Sequence, residues 1–294
     1  MEKQRLAWIG LGRMGVPMAR NLLPAAAPLK IFNRNASRMN ALAQAGATPA
    51  ASPREAAEAS DIVFTMVADD AALENVTLGD DGALGAMKPG SVLIDMSTVS
   101  PEISQKIATA AAAKHVAYLC APVSGSVAMA ESAKLTVLVS GPKDAIDRGA
   151  PLFGLLAAKQ FAVGGHGEAR VLKLSLNLMI GASAAMLGEA LTLSEKAGLD
   201  WNVLLEVVAN SAIASPFVQY KAGQLKSRDF SPMFMASQMA KDFGLIAKAA
   251  TEMGVALPMA DKVARYWREM ERRGLGDLDF IACLKIVEQD SGID

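Results

Sequence analysis

Arg5-Leu6-Ala7-Trp8-Ile9-Gly10-Leu11-Gly12-Arg13-Met14-Gly15 is a short apolar run that ends in three glycines at G-x-G-x-x-G spacing. In a dinucleotide-binding turn each glycine has a physical task. Gly10 permits the tight turn from strand to helix, Gly12 lets the backbone approach a pyrophosphate, and Gly15 lets the helix pack on the strand. The pyrophosphate then rests on the unpaired N–H groups at the positive end of that helix. A glycine triplet alone is weak evidence, but here the context is complete. Apolar residues of strand type precede it, a helical pattern over 16–23 follows, and Leu29-Lys30-Ile31-Phe32 supplies a second strand. Gly10, Leu11, Gly12, Arg13, Met14 and Gly15 are therefore expected to hold a dinucleotide.

Which dinucleotide is read at the end of the second strand. NAD-binding versions of this turn carry an acidic residue about twenty positions on, for the ribose 2′-hydroxyl. Here the strand ends Phe32-Asn33-Arg34, with Arg38 four residues later and no carboxylate. Arg34 can form charge-assisted bonds to a 2′-phosphate, with Arg38 one turn on as a second cation. With Asn33, these residues favour NADP over NAD; the bland alternative is a pair of solvated helix-start charges.

Further strand-length runs lie at 61–67, 91–96, 116–121, 135–140 and 160–163, with Ala-rich helical segments at 37–44, 53–59 and 101–114 between them. Strands alternating with helices imply a mostly parallel sheet. Beyond Gly167 only helical periodicity remains. The expected class is α/β: a Rossmann domain over 1–164, then an all-α substrate and oligomerisation domain over 165–294. The latter begins with a long interdomain helix at about 168–197, roughly 45 Å long at 1.5 Å per residue. The middle of that helix is apolar almost all round and needs cover on every side, which points to a homodimer or homotetramer.

Composition narrows the partners. The 294 residues are 52% apolar and carry a net charge of −1, so no basic field suggests nucleic acid or anionic lipid. Cys120 and Cys283 are the only cysteines and are far apart, which fits a reducing, cytoplasmic compartment. Few residues precede the first strand, so no signal or transit peptide is expected. The longest uncharged stretch of the C-terminal half, 174–188, is short and polar for a membrane span and reads as a buried core helix. His115 and His166 have no Ser or Cys partner at a recognisable spacing, and no metal-ligand cluster occurs.

Four features could meet a nicotinamide. Asp95-Met96-Ser97-Thr98 follows the fourth strand, where α/β folds bind ligands, although Ser100-Pro101 would also start the next helix. Ala121-Pro122-Val123-Ser124-Gly125-Ser126 follows the fifth, with hydroxyls and N–H groups suited to a small carboxylate. Lys173 and Asn177 share one helix face at i, i+4. A lysine in an apolar helix is costly unless it reaches water or acts, and partial desolvation would suit it to proton transfer. Phe234 and Lys241-Asp242, assigned to a later helix, read from spacing alone as a core aromatic and a surface ion pair.

Together these motifs resemble the β-hydroxyacid dehydrogenase family, which includes 3-hydroxyisobutyrate dehydrogenase, tartronate semialdehyde reductase and glyoxylate/succinic semialdehyde reductases, on a 6-phosphogluconate dehydrogenase-like architecture. The resemblance rests on Gly10–Gly15, Met18-Ala19-Arg20-Asn21, Asp95–Thr98, Ala121–Gly125, Lys173 with Asn177, and Lys241-Asp242, in that order over most of the chain. It implies an oxidoreductase interconverting a small 3-hydroxy carboxylic acid and its semialdehyde or keto form. Lys173 would be general acid/base and Asn177 would orient the substrate oxygen. Ser124 and Gly125 would hold the carboxylate, while Met66–Asp69, including Val67 and Ala68, and Thr98 would line the nicotinamide. Phe234, Lys241 and Asp242 would close the site, Lys241 on the cofactor and the other two on substrate.

The chain departs from the family's usual pattern at Cys120, where Asp is common, and at Ser126, where Gly is common. Gly167 precedes Lys173 by six residues instead of four, and only the second asparagine of Lys-x-x-Asn-Asn is present, as Asn177. These changes bear on the acyl pocket and hence on substrate identity. An imine reductase shares the architecture but generally lacks the lysine. A non-catalytic cofactor-binding module and a methyltransferase using S-adenosylmethionine are the readings from other classes. Lys173 opposes the first two, and Arg34 with the helical second half opposes the third.

Overall fold

The computed structural model describes residues 4–293, so the terminal residues of the two expected domains lie outside it. By contact density the chain divides into two compact units, Met1–Lys173 and Leu174–Asp294.

The first unit is built on a nine-stranded sheet: β1 (Gln4–Ile9), β2 (Ala26–Phe32), β3 (Thr48–Pro49), β4 (Ile62–Thr65), β5 (Val92–Asp95), β6 (Ala117–Cys120), β7 (Val123–Ser124), β8 (Leu135–Ser140) and β9 (Ala157–Gly164). Its order is β3-β2-β1-β4-β5-β6-β8-β7, with β9 also on β8. All pairings are parallel except those of β6 and β7 with β8. The chain runs outward from β1 to β3 and then returns to β4 on the other side. The carboxyl ends of β1 and β4 therefore frame a switch point, where open α/β sheets take their ligands. β4 and β5 are buried along their whole length, as strands covered on both faces must be.

The helices of this unit are α1 (Gly15–Leu22), α2 (Asn40–Gln44), α3 (Pro53–Ala57), α4 (Asp70–Leu78), α5 (Pro101–Ala112), α6 (Val127–Glu131) and α7 (Lys143–Phe153). Their starts follow capping chemistry. Ser52, Asp69 and Ser100 accept from Glu55 N, Ala72 N and Ile103 N at 3.1, 2.8 and 3.1 Å, with Pro53 and Pro101 at first helical positions. Two expected elements differ from the sequence reading for a visible reason. The helix expected at 37–44 is a 3-10 turn, Ala36–Met39, capped by the Asn35 side chain and followed by the short α2. The strand expected at 61–67 is only Ile62–Thr65, because Val67 N donates to a side chain, Ser97 Oγ, at 2.9 Å.

The second unit is helical, comprising most of α8 (Glu168–Lys196) with α9 (Trp201–Ala209), α10 (Pro216–Ser227), α11 (Ala236–Met253), α12 (Pro258–Arg272) and α13 (Leu284–Asp290). Trp267, Phe280, Cys283 and Leu284 form the centre of its core, and α8 presents Ala184, Leu187 and Leu191 to it at helical spacing. The opposite face of α8 is also apolar: Met179, Met186 and Leu193 are 56%, 60% and 74% exposed. The helix has 29 residues, and its most apolar window has a mean hydropathy of 1.5, so by length and composition it could cross a membrane. The uncharged 174–188 stretch understated this, because the helix continues past Lys173 and Glu189 at both ends.

Candidate active site

At the end of β1 the glycine turn is fixed from beneath. The Trp8 indole donates to Gly10 O at 2.8 Å and stacks on Phe64, with ring centroids 5.4 Å apart. Gly10 has φ +101°, and a Cβ there would lie 2.2 Å from Met66 O. A Cβ on Gly15 would lie 2.0 Å from Gly10 O. Neither position admits a side chain without displacing backbone. Gly12 is different, since a Cβ there would meet nothing within 4 Å. Helix α1 starts with Met14 in the cap position and no side-chain cap, so its positive end is left open to an anion. Open space over Gly12 beside an uncapped helix start fits a pyrophosphate.

Asn33 Oδ1 accepts from Leu11 N at 2.8 Å, and Arg38 Nη1 reaches Leu11 O at 3.4 Å. Asn33 therefore braces the turn, which leaves the exposed Arg34 as the cation at the tip of β2. Arg13 and Met14 lie in the same turn. Nothing in composition singled out Trp8; only its place two residues before Gly10 hinted at the role.

The ends of β4 and β5 are joined by a buried polar network that sequence reasoning missed. Asp95 Oδ1 accepts from Thr65 Oγ1 at 2.7 Å and from Ser97 Oγ at 2.6 Å, and Ser97 Oγ in turn accepts from Val67 N. Asp95 Oδ2 pairs with Arg170, in the first turn of α8. The guanidinium also donates to Ser97 O at 2.5 Å, Ser104 Oγ at 2.8 Å, Asp95 O at 3.2 Å and Tyr118 Oη at 3.3 Å. Arg170 and Asp95 are both fully buried. Burial alone would lower the Arg170 pKa, but the facing Asp95, with Cys120 and Tyr118, holds it above the ordinary value. Burial raises the Tyr118 phenol well above its usual range, so it stays protonated as a donor or acceptor. Val67, Ala68 and the half-buried Thr98 sit on the two segments this network ties together.

Lys173 follows Arg170 by three residues on α8 and is half-buried. Asn177, one turn further and buried, donates from Nδ2 to Asp242 Oδ2 at 2.5 Å. Asp242 is 1% exposed, and its other oxygen lies 3.0 Å from Lys241 Nζ. The surface ion pair expected at 241–242 is thus a buried carboxylate bracing Asn177. Phe234 is not on α11 but precedes it. Its backbone N and that of Met233 donate to Asp279 Oδ2 at 3.2 and 2.9 Å, and its ring meets Phe280 edge-on. Asp279 is neutralised by the buried Lys221 at 2.6 Å. Burial lowers the pKa of that lysine against the opposing pull of Asp279.

Ser124 is the last residue of β7, paired with Thr136, and Gly125 follows at φ +139°. A Cβ on Gly125 would lie 2.7 Å from Leu135 Cδ2, so the exposed backbone here is sterically bound to glycine. Ser126 accepts from Met129 N at 3.4 Å and caps α6, a role for the residue that departs from the usual pattern. Cys120 is buried at the end of β6. Among the described residues no cluster of three or more His, Cys, Asp or Glu could hold a metal.

The chain is similar to known proteins over most of its length. The NAD binding domain of 6-phosphogluconate dehydrogenase matches residues 5–165. The NAD-binding domain of NADP-dependent 3-hydroxyisobutyrate dehydrogenase matches residues 167–287. The chain is 33% identical to the NAD-dependent L-serine dehydrogenase of Pseudomonas aeruginosa, covering 98% of this chain and 99% of that protein. It is 34% identical to 2-(hydroxymethyl)glutarate dehydrogenase of Eubacterium barkeri, covering 100% and 98%. The crystal structure of 3-hydroxyisobutyrate dehydrogenase from Salmonella typhimurium superposes with a TM-score of 0.87 at 30% identity, covering 97% of this chain and 100% of that one. An imine reductase from Pseudomonas sp., at 23% identity and a TM-score of 0.61, shares the fold.

Proposed function

The chain belongs to the β-hydroxyacid dehydrogenase family of NAD(P)-dependent oxidoreductases, and from that premise we propose that it interconverts a small 3-hydroxy carboxylic acid and its semialdehyde or keto form, with NADP preferred. The observation that carries this is the pairing of Lys173 and Asn177 on one face of α8, with the Asn177 amide fixed by the buried Asp242. When bound, the nicotinamide dinucleotide supplies or accepts the hydride. Lys173, as ammonium, stabilises negative charge on the substrate oxygen and gives it a proton; in oxidation it takes that proton back. Asn177 orients the same oxygen. Ser124 and the Gly125 backbone hold the carboxylate. Arg34, exposed and unobstructed by the bracing of the turn, carries the preference for a 2′-phosphate.

The substrates named for relatives, with two semialdehydes typical of the family, set the trial panel: 3-hydroxyisobutyrate, L-serine and 2-(hydroxymethyl)glutarate for oxidation, and glyoxylate, succinic semialdehyde, methylmalonate semialdehyde and tartronate semialdehyde for reduction. Turnover is followed as the change in reduced-cofactor absorbance. Lys173→Ala should lose about 10²–10⁴-fold in kcat while cofactor binding persists. Arg34→Ala should weaken NADPH use about 10–100-fold and leave NADH use nearly unchanged, as expected for losing about 1.5–3 kcal/mol of charged hydrogen bonding. No turnover on any hydroxyacid or carbonyl despite tight cofactor binding would overturn the assignment and bring cyclic imines forward as substrates. The protein acts as a homo-oligomer, with the outer stripe of α8 covered by a second copy. Both thiols are free and buried, which suits a reducing cytoplasm.

A further inference from the structure

The buried guanidinium of Arg170 belongs to no motif used above. Replacing a buried ion pair by apolar groups of similar volume is often neutral or stabilising, so stability alone does not account for it. What the pair does uniquely is geometric. Arg170 engages the main-chain oxygens of both Asp95 and Ser97 and the Asp95 carboxylate. Asp95 orients the Ser97 hydroxyl, and that hydroxyl receives the Val67 N–H. One side chain thereby fixes the segments after β4 and β5 to the first turn of α8. Lys173 follows one turn later on the same rigid helix. A planar fork with fixed donor directions holds such an arrangement in a way a flexible ammonium cannot.

We propose that Arg170 is a positioning residue: it sets the registry between the two strand ends that flank the nicotinamide and the helix turn that carries Lys173. The proposal rests on the functional assignment of those segments given above. Catalytic groups misplaced by about 1 Å lose on the order of 10²-fold in rate, so the registry is worth more to kcat than to affinity.

The test uses full-length wild type, Arg170→Lys, Ser97→Ala and the charge-balanced double variant Arg170→Met with Asp95→Asn. Whichever reduced cofactor wild type binds more tightly is titrated, together with the same dinucleotide lacking nicotinamide. Fluorescence anisotropy of the bound reduced nicotinamide is read at saturation, and thermal melting is recorded alongside. All three variants should bind the nicotinamide-free fragment within twofold of wild type. Their bound nicotinamide should show lower anisotropy, and kcat should fall at least tenfold with KM changed less than threefold. Arg170→Lys should retain more of both signals than the double variant.

Anisotropy and kcat equal to wild type in the folded variants would overturn the proposal. Parallel loss of fragment affinity and melting temperature would also overturn it, because the residue would then be a support for the whole unit. Wild type that turns over no hydroxyacid or carbonyl, with anisotropy still falling in the variants, would sink the functional assignment and leave the positioning role standing.

Discussion

Glu168, at the first position of α8, folds its carboxylate back onto the preceding loop. Its Oε2 accepts from His166 N at 2.8 Å. Hydrogen bonds from its own backbone N–H and from that of His166, opposed by slight burial, hold its pKa below the ordinary value of 4.5. A folded-state pKa below the unfolded one contributes stability that is fully present above 4.5 and is lost as pH falls through the folded value. Glu168→Gln should therefore lower stability slightly at pH 7 and converge on wild type as pH falls through the folded value; urea unfolding across a descending pH series measures it. The side chain is exposed, so solvent screening keeps the effect small. This contact, like Asn33 on Leu11, lies between near neighbours or within a recognised motif, yet the sequence reading gave Asn33 to the cofactor and passed over Glu168. The Arg170–Asp95 pair spans 75 residues. Nothing in the local pattern joins them, because only the strand order brings the end of β5 to the start of α8.

The glycine turn shows how far an element can be read from its residues alone. Gly10 and Gly15 are held by backbone contacts, whereas Gly12 faces open space. Gly12→Ala should fold with a melting temperature within a few degrees of wild type yet bind cofactor at least tenfold more weakly. Gly15→Ala should lose several degrees before any ligand is added. Melting curves with and without NADP(H) separate the two, and equal behaviour would contradict the division of tasks between the glycines. Strands buried on both faces announced themselves as apolar runs, so the sheet was legible from composition and spacing. The two-residue β3 and β7 were not, since so short a pairing leaves no periodicity. Nor was the position of Phe234: Asp279, 45 residues away, takes its backbone N–H and holds it outside α11.

For the molecule as a whole, the outer stripe of α8 bears on how copies of the chain assemble. Leu172, Met179, Met186 and Leu193 recur at intervals of seven and all face outward, the seam spacing of helices that associate. In the proposed homo-oligomer, Met186→Glu should give a monomer or a smaller oligomer, read by light scattering after size exclusion, and an unchanged mass would show that the seam is not the contact. The alternative of lipid cover is opposed by the buried Asn177–Asp242 bond on the same helix and by Glu189, which accepts from the Tyr266 hydroxyl. The helix has a further consequence for heredity. Arg170 and Lys173 belong to one compact unit and Asn177 to the other, yet a single unbroken α8 carries all three. Exchange of halves with a relative at the compact boundary would splice two ancestries within one helical turn and set Lys173 against a foreign asparagine. Crossovers that preserve function should instead fall in Gly164-Gly165-His166-Gly167, between parents that both carry the Asp95–Arg170 pair, so that the whole helix is inherited with the domain that follows it.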